Sequence, residues 1–260
     1  MRHVALAVAL FLSIGASMQP NLAAQQPAAA RTPKAAAPFD PSGYWVPLIT
    51  EDWRFRMLTP PKGDYASVPL NNEGRRVAGT WDLAKDDASG NQCKVYGVGS
   101  ITRQPGRLHI TWDNDTTLKM EYDAGQQTRI LHFDKAQPPT EKTWQGYSVA
   151  EWDVPPAGGG ARGAVPSTRG ALKISTTGMR EGYLRKNGVP YSENAIVSEY
   201  IDRLGPEPDG AVYLLIRTTV DDPKYLTQPF VTSTHFRLEA DGAAKWHPAP
   251  CKTDPPALAK

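Results

Sequence analysis

Short segments with alternating apolar and polar residues dominate the chain after residue 40, and turn residues separate them. Strand-forming residues (Val, Ile, Thr, Tyr, Phe and Trp) fill the segments 107–112, 117–122, 128–133, 147–152, 171–177, 195–203, 211–220 and 230–239. The stretches YWVPLI after Gly43 and QCKVYGVGSITR around Cys93 are predicted to add further strands. Because an alternation of period two would scatter apolar side chains around a helix, the pattern predicts an all-β fold.

About nine or ten strands favour an antiparallel, lipocalin-like β-barrel, with a β-sandwich as the alternative. Closure removes the unpaired sheet edges through which strands of different molecules aggregate. The run Gly43-Tyr44-Trp45 is similar to the Gly-x-Trp that opens lipocalin-type barrels. One short helix is predicted over 71–87, because this segment has an Asn start, an acidic first turn and many helix formers.

The first 24 residues, MRHVALAVALFLSIGASMQPNLAA, have the pattern of a signal peptide. A positive start precedes an apolar run, which ends at a small-residue cleavage site. The protein is therefore predicted to be periplasmic or secreted. Residues 25–40 are rich in Ala and Pro and are expected to form a disordered linker, followed by a single barrel domain at 41–254 and a tail at 255–260.

Cys93 and Cys251 are the two cysteines of the chain. In an oxidising compartment, two cysteines in a single domain predict one disulfide. The alternative is a pair of buried free thiols.

Several classes of function lack their usual sequence signals. The net charge is +2, and Lys and Arg are scattered rather than clustered, so nucleic-acid binding is not expected. After the signal peptide, no segment is apolar enough for a transmembrane helix. Gly-x-Ser-x-Gly, His-Glu-x-x-His, Cys-x-x-Cys and Rossmann motifs are absent from the sequence, and no cofactor is predicted.

Glu199 is a candidate catalytic acid or base, because it alternates with Val197 and Ile201 on a largely apolar strand face. Burial disfavours the charged form of a carboxyl group and suits it to proton transfer. The alternative is a purely structural pair with Arg217 or Arg237 on a neighbouring strand.

Three histidines, His109, His132 and His235, lie in the middle of predicted strands and are expected on the face opposite their apolar neighbours. Imidazoles from several strands can hold zinc, copper or iron. The favoured interpretation is that they are surface residues of half-exposed strands and that the protein has no metal.

The segment GYLRKNGVPYSENA (182–195) is long for a hairpin connection and is the strongest candidate for a binding loop. Asn187-Gly188 predicts a tight turn, which would place Tyr183, Arg185 and Tyr191 over one barrel mouth. Segments 50–57 and 221–230 also combine aromatic and basic residues. The predicted ligand-binding residues are Trp53, Arg56, Tyr183, Arg185 and Tyr225. The alternative is that these segments plug the barrel end.

Several short runs resemble a widespread group of exported, β-rich bacterial proteins of uncertain function. The runs are Trp144-Gln145-Gly146-Tyr147-Ser148, Thr176-Thr177-Gly178, Pro190-Tyr191-Ser192-Glu193, Ser198-Glu199-Tyr200-Ile201, Asp222-Pro223 with Tyr225, Pro229-Phe230, and Cys251. This resemblance covers 143–251 and implies export and a β architecture, without implying a reaction. Tyr200 stands where the group usually has Arg, and 154–170 is an insertion.

These patterns predict a barrel that binds a small, partly aromatic or oxygenated molecule at its mouth. The first alternative is an isomerase, cyclase or lyase that needs no cofactor. In that enzyme, Glu199 or His235 would act as base, Tyr183 or Tyr191 as acid, and Arg185 would hold an anion. The second alternative is the cross-strand histidine metal site.

Overall fold

A closed β-barrel forms the centre of the molecule in the computed structural model, which describes residues 31–134, 136–155 and 170–256. The predicted signal peptide, residues 25–30 of the linker, most of the insertion and the end of the tail lie outside these described residues. The strands are β1 (Gly43–Pro47), β2 (Leu108–Asn114), β3 (Thr117–Tyr122), β4 (Ala124–Gly125), β5 (Gln127–His132), β6 (Tyr147–Asp153), β7 (Ala171–Thr177), β8 (Gly182–Arg185), β9 (Val189–Tyr191), β10 (Ile196–Leu204), β11 (Tyr213–Asp221), β12 (Phe230–Leu238) and β13 (Ala249–Pro250).

The barrel strands follow the order β1-β12-β11-β10-β7-β6-β5-β3-β2, and β2 pairs with β1 to close the ring. The prediction of a closed all-β barrel is confirmed. The prediction of an antiparallel barrel of the lipocalin type is not, because β5 and β6 pair in parallel. The segment 133–146 returns the chain to the end of the barrel where β5 began, and parallel neighbours require a crossover connection of this kind.

The helices differ from the prediction. They are α1 (Trp53–Met57), α2 (Asn72–Gly79) and α3 (Leu83–Ala88). The single helix predicted over 71–87 is thus two, because Asp82 is extended and its carboxylate caps α3 by accepting from the backbone N–H groups of Ala84 and Lys85. Asn71 caps α2 in the same way, accepting from Gly74.

The strands predicted around Cys93 are wrong, since this segment forms two 3₁₀ helices, Gln92–Tyr96 and Ile101–Arg103. A close contact with the buried ring of Tyr191 shapes the segment between them. A Cβ atom on Gly97 would lie 2.1 Å from the Tyr191 hydroxyl, so only glycine fits there. This contact is distant in sequence, and the local alternation therefore gave the wrong structure.

Two apolar layers fill the barrel. The first contains inward-facing side chains of the barrel strands, among them Trp45, Leu108, Ile110, Leu118, Met120, Leu131, Leu172, Ile174, Ile201, Leu214, Ile216 and Phe236. The second lies at one end and joins the strand ends to α2 and to the hairpin of β8 and β9. Its members are Val68, Leu70, Ala78, Val98, Met179, Leu184, Val189, Tyr191, Ala195, Val197, Val220, Leu226 and Phe230. The interior is therefore packed with side chains, at least in these two layers.

Part of the predicted linker contacts the barrel. The Phe39 ring lies edge-on to the Trp152 ring, with centroids 5.3 Å apart. Trp152 Nε1 also donates a hydrogen bond of 2.8 Å to the carbonyl oxygen of Pro33. Trp152 lies on the same inward-facing side of β6 as Ser148 and Ala150, so the stretch 31–40 packs against the barrel core.

The predicted disulfide between Cys93 and Cys251 is confirmed. It joins residues 158 positions apart and ties the C-terminal segment to the first 3₁₀ helix. In the chain-entropy model, a loop of this length stabilises the fold by about 5 kcal/mol. Among the described residues, no helix is long and apolar enough to cross a bilayer.

Candidate functional site

A layer of polar side chains lies between the two apolar layers, and we call it the polar layer. It consists of Tyr122, Arg129, Ser148, Thr176, Glu199 and Thr218. Glu199 follows Val197 of the second apolar layer and precedes Ile201 of the first, so the strand alternation points all three inward. The prediction that Glu199 lies on an apolar inner face is therefore correct.

An ion pair between Arg129 and Glu199 is the centre of the polar layer. Arg129 Nη2 lies 2.5 Å from Glu199 Oε2, and each side chain is 1% exposed. Arg129 Nε also donates to Ser148 Oγ (2.9 Å), and its Nη2 donates to Thr176 Oγ1 (2.7 Å). Burial acts to lower the pKa of Arg129, but the charges and hydrogen bonds of Glu199 and Tyr122 together outweigh it, so the pKa is raised. The pair is therefore balanced in charge.

The structural partners predicted for Glu199 are wrong. Arg217 points outward and pairs with Asp202 at 3.0 Å, and Arg237 lies on the outer side of β12. Arg129 was missed because it reaches Glu199 across the barrel, from β5 to β10, and local alternation carries no signal for such a contact. Since the described chain shields both groups from solvent, the polar layer supports the structure and offers no access to a substrate.

The three predicted catalytic residues do not form one site. Tyr191 is fully buried in the hairpin, and burial raises its pKa, so it packs as a core residue. His235 lies on the outer face of β12, where its Nδ1 is 2.6 Å from Glu51 Oε1. Glu199 points inward. An enzyme that uses these three residues together therefore has no support in the geometry.

The three strand histidines are also separated. His109 stacks on Tyr44, His132 stacks on Tyr147, and His235 contacts Glu51. Among the described residues, no group of three or more His, Cys, Asp or Glu side chains is arranged to hold a metal ion. The alternative of a histidine metal site is thus not supported by their positions.

The segment 182–195 closes one end of the barrel instead of overhanging an open mouth. β8 and β9 form a hairpin with a turn at Asn187-Gly188, as predicted, and Gly188 has a φ of +79°. Asn187 is fully buried and donates to the carbonyl oxygens of Pro61 and Asp64. The plugging alternative therefore describes this hairpin better than the binding-loop interpretation.

Ser192, directly after the hairpin, is anchored to Asp222 in the turn between β11 and β12. The Asp222 carboxylate accepts from the Ser192 backbone N–H at 2.6 Å and from its hydroxyl at 2.8 Å. Both residues are buried. This contact fixes the position of the hairpin, and with it the position of Arg185.

Three buried arginines converge at the same end of the molecule. Arg56 of α1, Arg103 of the second 3₁₀ helix and Arg185 of β8 are 1%, 5% and 5% exposed. Arg103 pairs with Asp52. Arg56 Nη1 donates to the Leu48 carbonyl oxygen (2.9 Å), and Arg185 Nη1 donates to that of Ala66 (2.6 Å). We call these three side chains the arginine cluster.

Nearby carboxylates neutralise the positive charges of the arginine cluster less completely than Glu199 neutralises that of Arg129. Burial, followed by the charge of Arg103, lowers the pKa of Arg185 to about 10. The same two causes lower the pKa of Arg56. Arg56 Nε and Nη2 and Arg185 Nε are buried without a hydrogen-bond acceptor in the described part of the chain, and so is Arg129 Nη1. The difference is that Arg129 has a carboxylate at 2.5 Å, whereas Arg56 and Arg185 donate to backbone carbonyl oxygens. The folded protein thus holds guanidinium charge that its own groups stabilise incompletely.

A surface pocket of about 440 Å³ opens beside this cluster, and we call it the arginine pocket. Its lining comes from the α1 segment, from loops and from β8 and β12: Glu51, Asp52, Phe55, Ser67, Arg103, Arg185, Phe230, Val231, Thr232, Ser233 and His235. Asp52 and Ser67 have φ values of 52° and 66°, a left-handed conformation uncommon outside glycine. Such backbone is frequent at binding sites, where the surrounding structure maintains it.

The predicted ligand-binding residues divide into two groups. Arg56 and Arg185 belong to the arginine cluster, and Trp53 lies nearby on α1 with 51% of its surface exposed. Tyr183 and Tyr225 lie elsewhere, with their hydroxyls directed to Asp86 and Glu181. Arg103 was missed because it lies in the segment that was predicted to be a strand.

No protein-family model, no curated protein and no solved structure matches this chain.

Proposed function

We propose that this chain is an exported β-barrel protein that binds a small, oxygenated organic anion in the arginine pocket. The barrel is a rigid scaffold. Because side chains pack its interior, the proposed ligand binds in the surface pocket at the end of the barrel that the hairpin of β8 and β9 closes. This differs from the barrel mouth expected from the sequence, although Arg185 keeps its predicted role and Arg56 lies behind it in the arginine cluster.

The observation that carries the proposal is the incompletely compensated charge beside an open pocket. Buried charged groups are normally paired, because an unpaired charge in a low-dielectric region costs several kcal/mol. Arg185 is 5% exposed, lines the pocket and has an Nε–H without an acceptor in the described chain. An anionic oxygen in the pocket would place a negative charge beside this guanidinium.

The dimensions of the pocket are also suitable. Ligand pockets have volumes of roughly 300–1,000 Å³ and combine apolar walls with a few fixed polar groups. The arginine pocket, at about 440 Å³, has Phe55 and Phe230 as apolar walls. Its charged groups are two guanidiniums and the carboxylates of Glu51 and Asp52.

A thermal-shift screen of the mature protein against small organic acids, alcohols and sugars tests the proposal. We expect several acids to raise the unfolding temperature in a saturable manner, because a ligand that binds only the folded state stabilises it. Ser233→Trp would fill the pocket and abolish the shift. Ser175→Trp, on the exposed outer face of β7, is the matched control and should retain it. The proposal is wrong if no compound gives a saturable shift, or if Ser233→Trp binds as the control does.

A further inference from the structure

The geometry points to a particular ligand class for the arginine pocket: a monocarboxylate whose carboxylate group is attached to an apolar, preferably aromatic, body. This inference rests on the proposed function and specifies the chemistry of its ligand. Three separate observations support it. They are the net charge of the arginine cluster, the N–H groups of its guanidiniums that have no acceptor, and the aromatic side chains that line the pocket.

The charge surplus matches one negative charge. Three guanidiniums, those of Arg56, Arg103 and Arg185, interact with the two carboxylates of Asp52 and Glu51. The formal charges of these five groups sum to one positive charge. The neighbouring pair of Arg54 and Asp64 is balanced. A monoanion would neutralise the site, whereas a dianionic phosphate ester would reverse its sign.

The orientation of the guanidiniums suits a planar carboxylate. On both Arg56 and Arg185, Nη1 is used by a backbone carbonyl, and the opposite side of the guanidinium carries the buried Nε–H without an acceptor. An arginine binds a carboxylate most strongly through two parallel N–H···O bonds, for which the Nε side of the fork is suited. Arg185 is one of the residues that line the pocket.

Aromatic rings border the position where the carboxylate would lie. The Arg185 guanidinium carbon is 3.7 Å from the centroid of the Phe55 ring, so the ring covers one face of the guanidinium. Phe230 and the exposed Val231 continue the apolar wall along β12. An apolar body attached to the carboxylate would therefore leave water and contact these side chains, which a bare inorganic anion cannot do.

Isothermal titration calorimetry with matched probes tests the ligand class. The probes are benzoate, phenylacetate and 4-phenylbutyrate, the primary amide and the phosphonate of each, and acetate and inorganic phosphate, all at one ionic strength. We expect at least one aryl carboxylate to bind roughly 10- to 100-fold more tightly than its amide, since hydrogen bonds to charged groups contribute that much. Acetate should bind more weakly than the aryl carboxylates.

Two variants link the preference to Arg185. Arg185→Met keeps an apolar stem and should reduce the preference for carboxylate over amide to less than about threefold, because the charge-assisted hydrogen bonds are lost. Arg185→Lys keeps the charge without the fork and should give an intermediate preference. The comparison of probes on the unmodified protein stands even if a variant fails to fold.

The outcomes separate this inference from the proposed function. Equal binding of amides and carboxylates, or tighter binding of phosphonates or inorganic phosphate, would overturn the monocarboxylate while leaving a ligand pocket. An unchanged preference in Arg185→Met would also overturn it. Failure of every probe, together with an empty thermal-shift screen, would remove the proposed function itself.

Discussion

Arg129 and Arg185 are both nearly inaccessible to solvent, but the pKa values of the two guanidiniums are shifted in opposite directions. Arg129 lies within 2.5 Å of the Glu199 carboxylate and donates to two hydroxyl groups, and its pKa is raised. Arg185 donates to one backbone carbonyl and lies near Arg103, and its pKa is lowered to about 10. Burial alone therefore does not determine how far the charge of an arginine is neutralised by its neighbours.

The difference lies in the balance of the surrounding charge. The polar layer is neutral and is enclosed by the barrel, so its arginine serves the fold. The arginine cluster has a surplus positive charge next to an open pocket, which costs stability in the absence of an anion. Proteins retain such a cost where a bound ligand uses it, as in the trade-off between stability and function.

The largest effect is expected from breaking the balanced pair. Arg129→Met should lower the free energy of unfolding by about 3–5 kcal/mol, because it leaves Glu199 buried without its counter-charge. Urea denaturation monitored by circular dichroism measures this change. The double variant Arg129→Met, Glu199→Leu should recover most of the loss, since two apolar side chains then continue the adjacent layers. If Arg129→Met alone changes the free energy of unfolding by less than about 1 kcal/mol, the ion pair does not stabilise the polar layer as proposed.

The next effect concerns the anchor that positions Arg185. Asp222→Ala should lower the free energy of unfolding by about 2–3 kcal/mol, because Ser192 loses the acceptor for its buried N–H and hydroxyl groups. Asp202→Ala breaks the exposed pair with Arg217 and is the control, with an expected loss below about 1 kcal/mol. Equal losses in the two variants would contradict the anchoring role.

A smaller effect should appear at alkaline pH. Burial raises the pKa of Tyr191 above its ordinary value near 10, so its contribution to stability is complete below pH 10 and declines as the pH rises above it. Between pH 8 and pH 10.5, we expect Tyr191→Phe to lose about 1 kcal/mol less than the unmodified protein. Urea denaturation at both pH values measures this, and Tyr200→Phe on the outer side of β10 should behave like the unmodified protein. Identical losses in all three proteins would place Tyr191 in contact with water.

The smallest effect on stability is expected at Arg185. Arg185→Met removes a hydrogen bond to Ala66 and also removes an incompletely compensated charge, so the free energy of unfolding should change by less than about 1 kcal/mol. Direct comparison with Arg129→Met in the same urea titrations sharpens the contrast between the two regions. A loss as large as that of Arg129→Met would mean that Arg185 is also a structural residue.

The sequence predicted those features that depend on local pattern. Alternation identified the barrel strands and the inward direction of Glu199, and the export context predicted the Cys93–Cys251 disulfide. Contacts between distant segments were not predictable in the same way. The parallel pairing of β5 with β6 depends on the path of a crossover, and the partner of Glu199 depends on closure of the barrel.

The candidate site was predictable only in part for the same reason. Arg56 and Arg185 were predicted as ligand-binding residues because each lies among aromatic residues in a segment expected between strands. Arg103 gave no such signal, since its segment has a strand-like alternation that the contact of Tyr191 with Gly97 overrides. The convergence of three arginines is a property of the tertiary structure, and it is the feature on which the proposed function rests.

The most direct test of this account is the effect of an aryl carboxylate on the urea midpoint of the unmodified protein and of Arg185→Met, measured with phenylacetate against chloride at equal ionic strength. A ligand at 100 times its dissociation constant stabilises a protein by about 2.7 kcal/mol. We expect phenylacetate to raise the midpoint of the unmodified protein by much more than that of Arg185→Met. An equal rise in both proteins, or no rise in either, would contradict the claim that the surplus guanidinium charge is there to bind an anion.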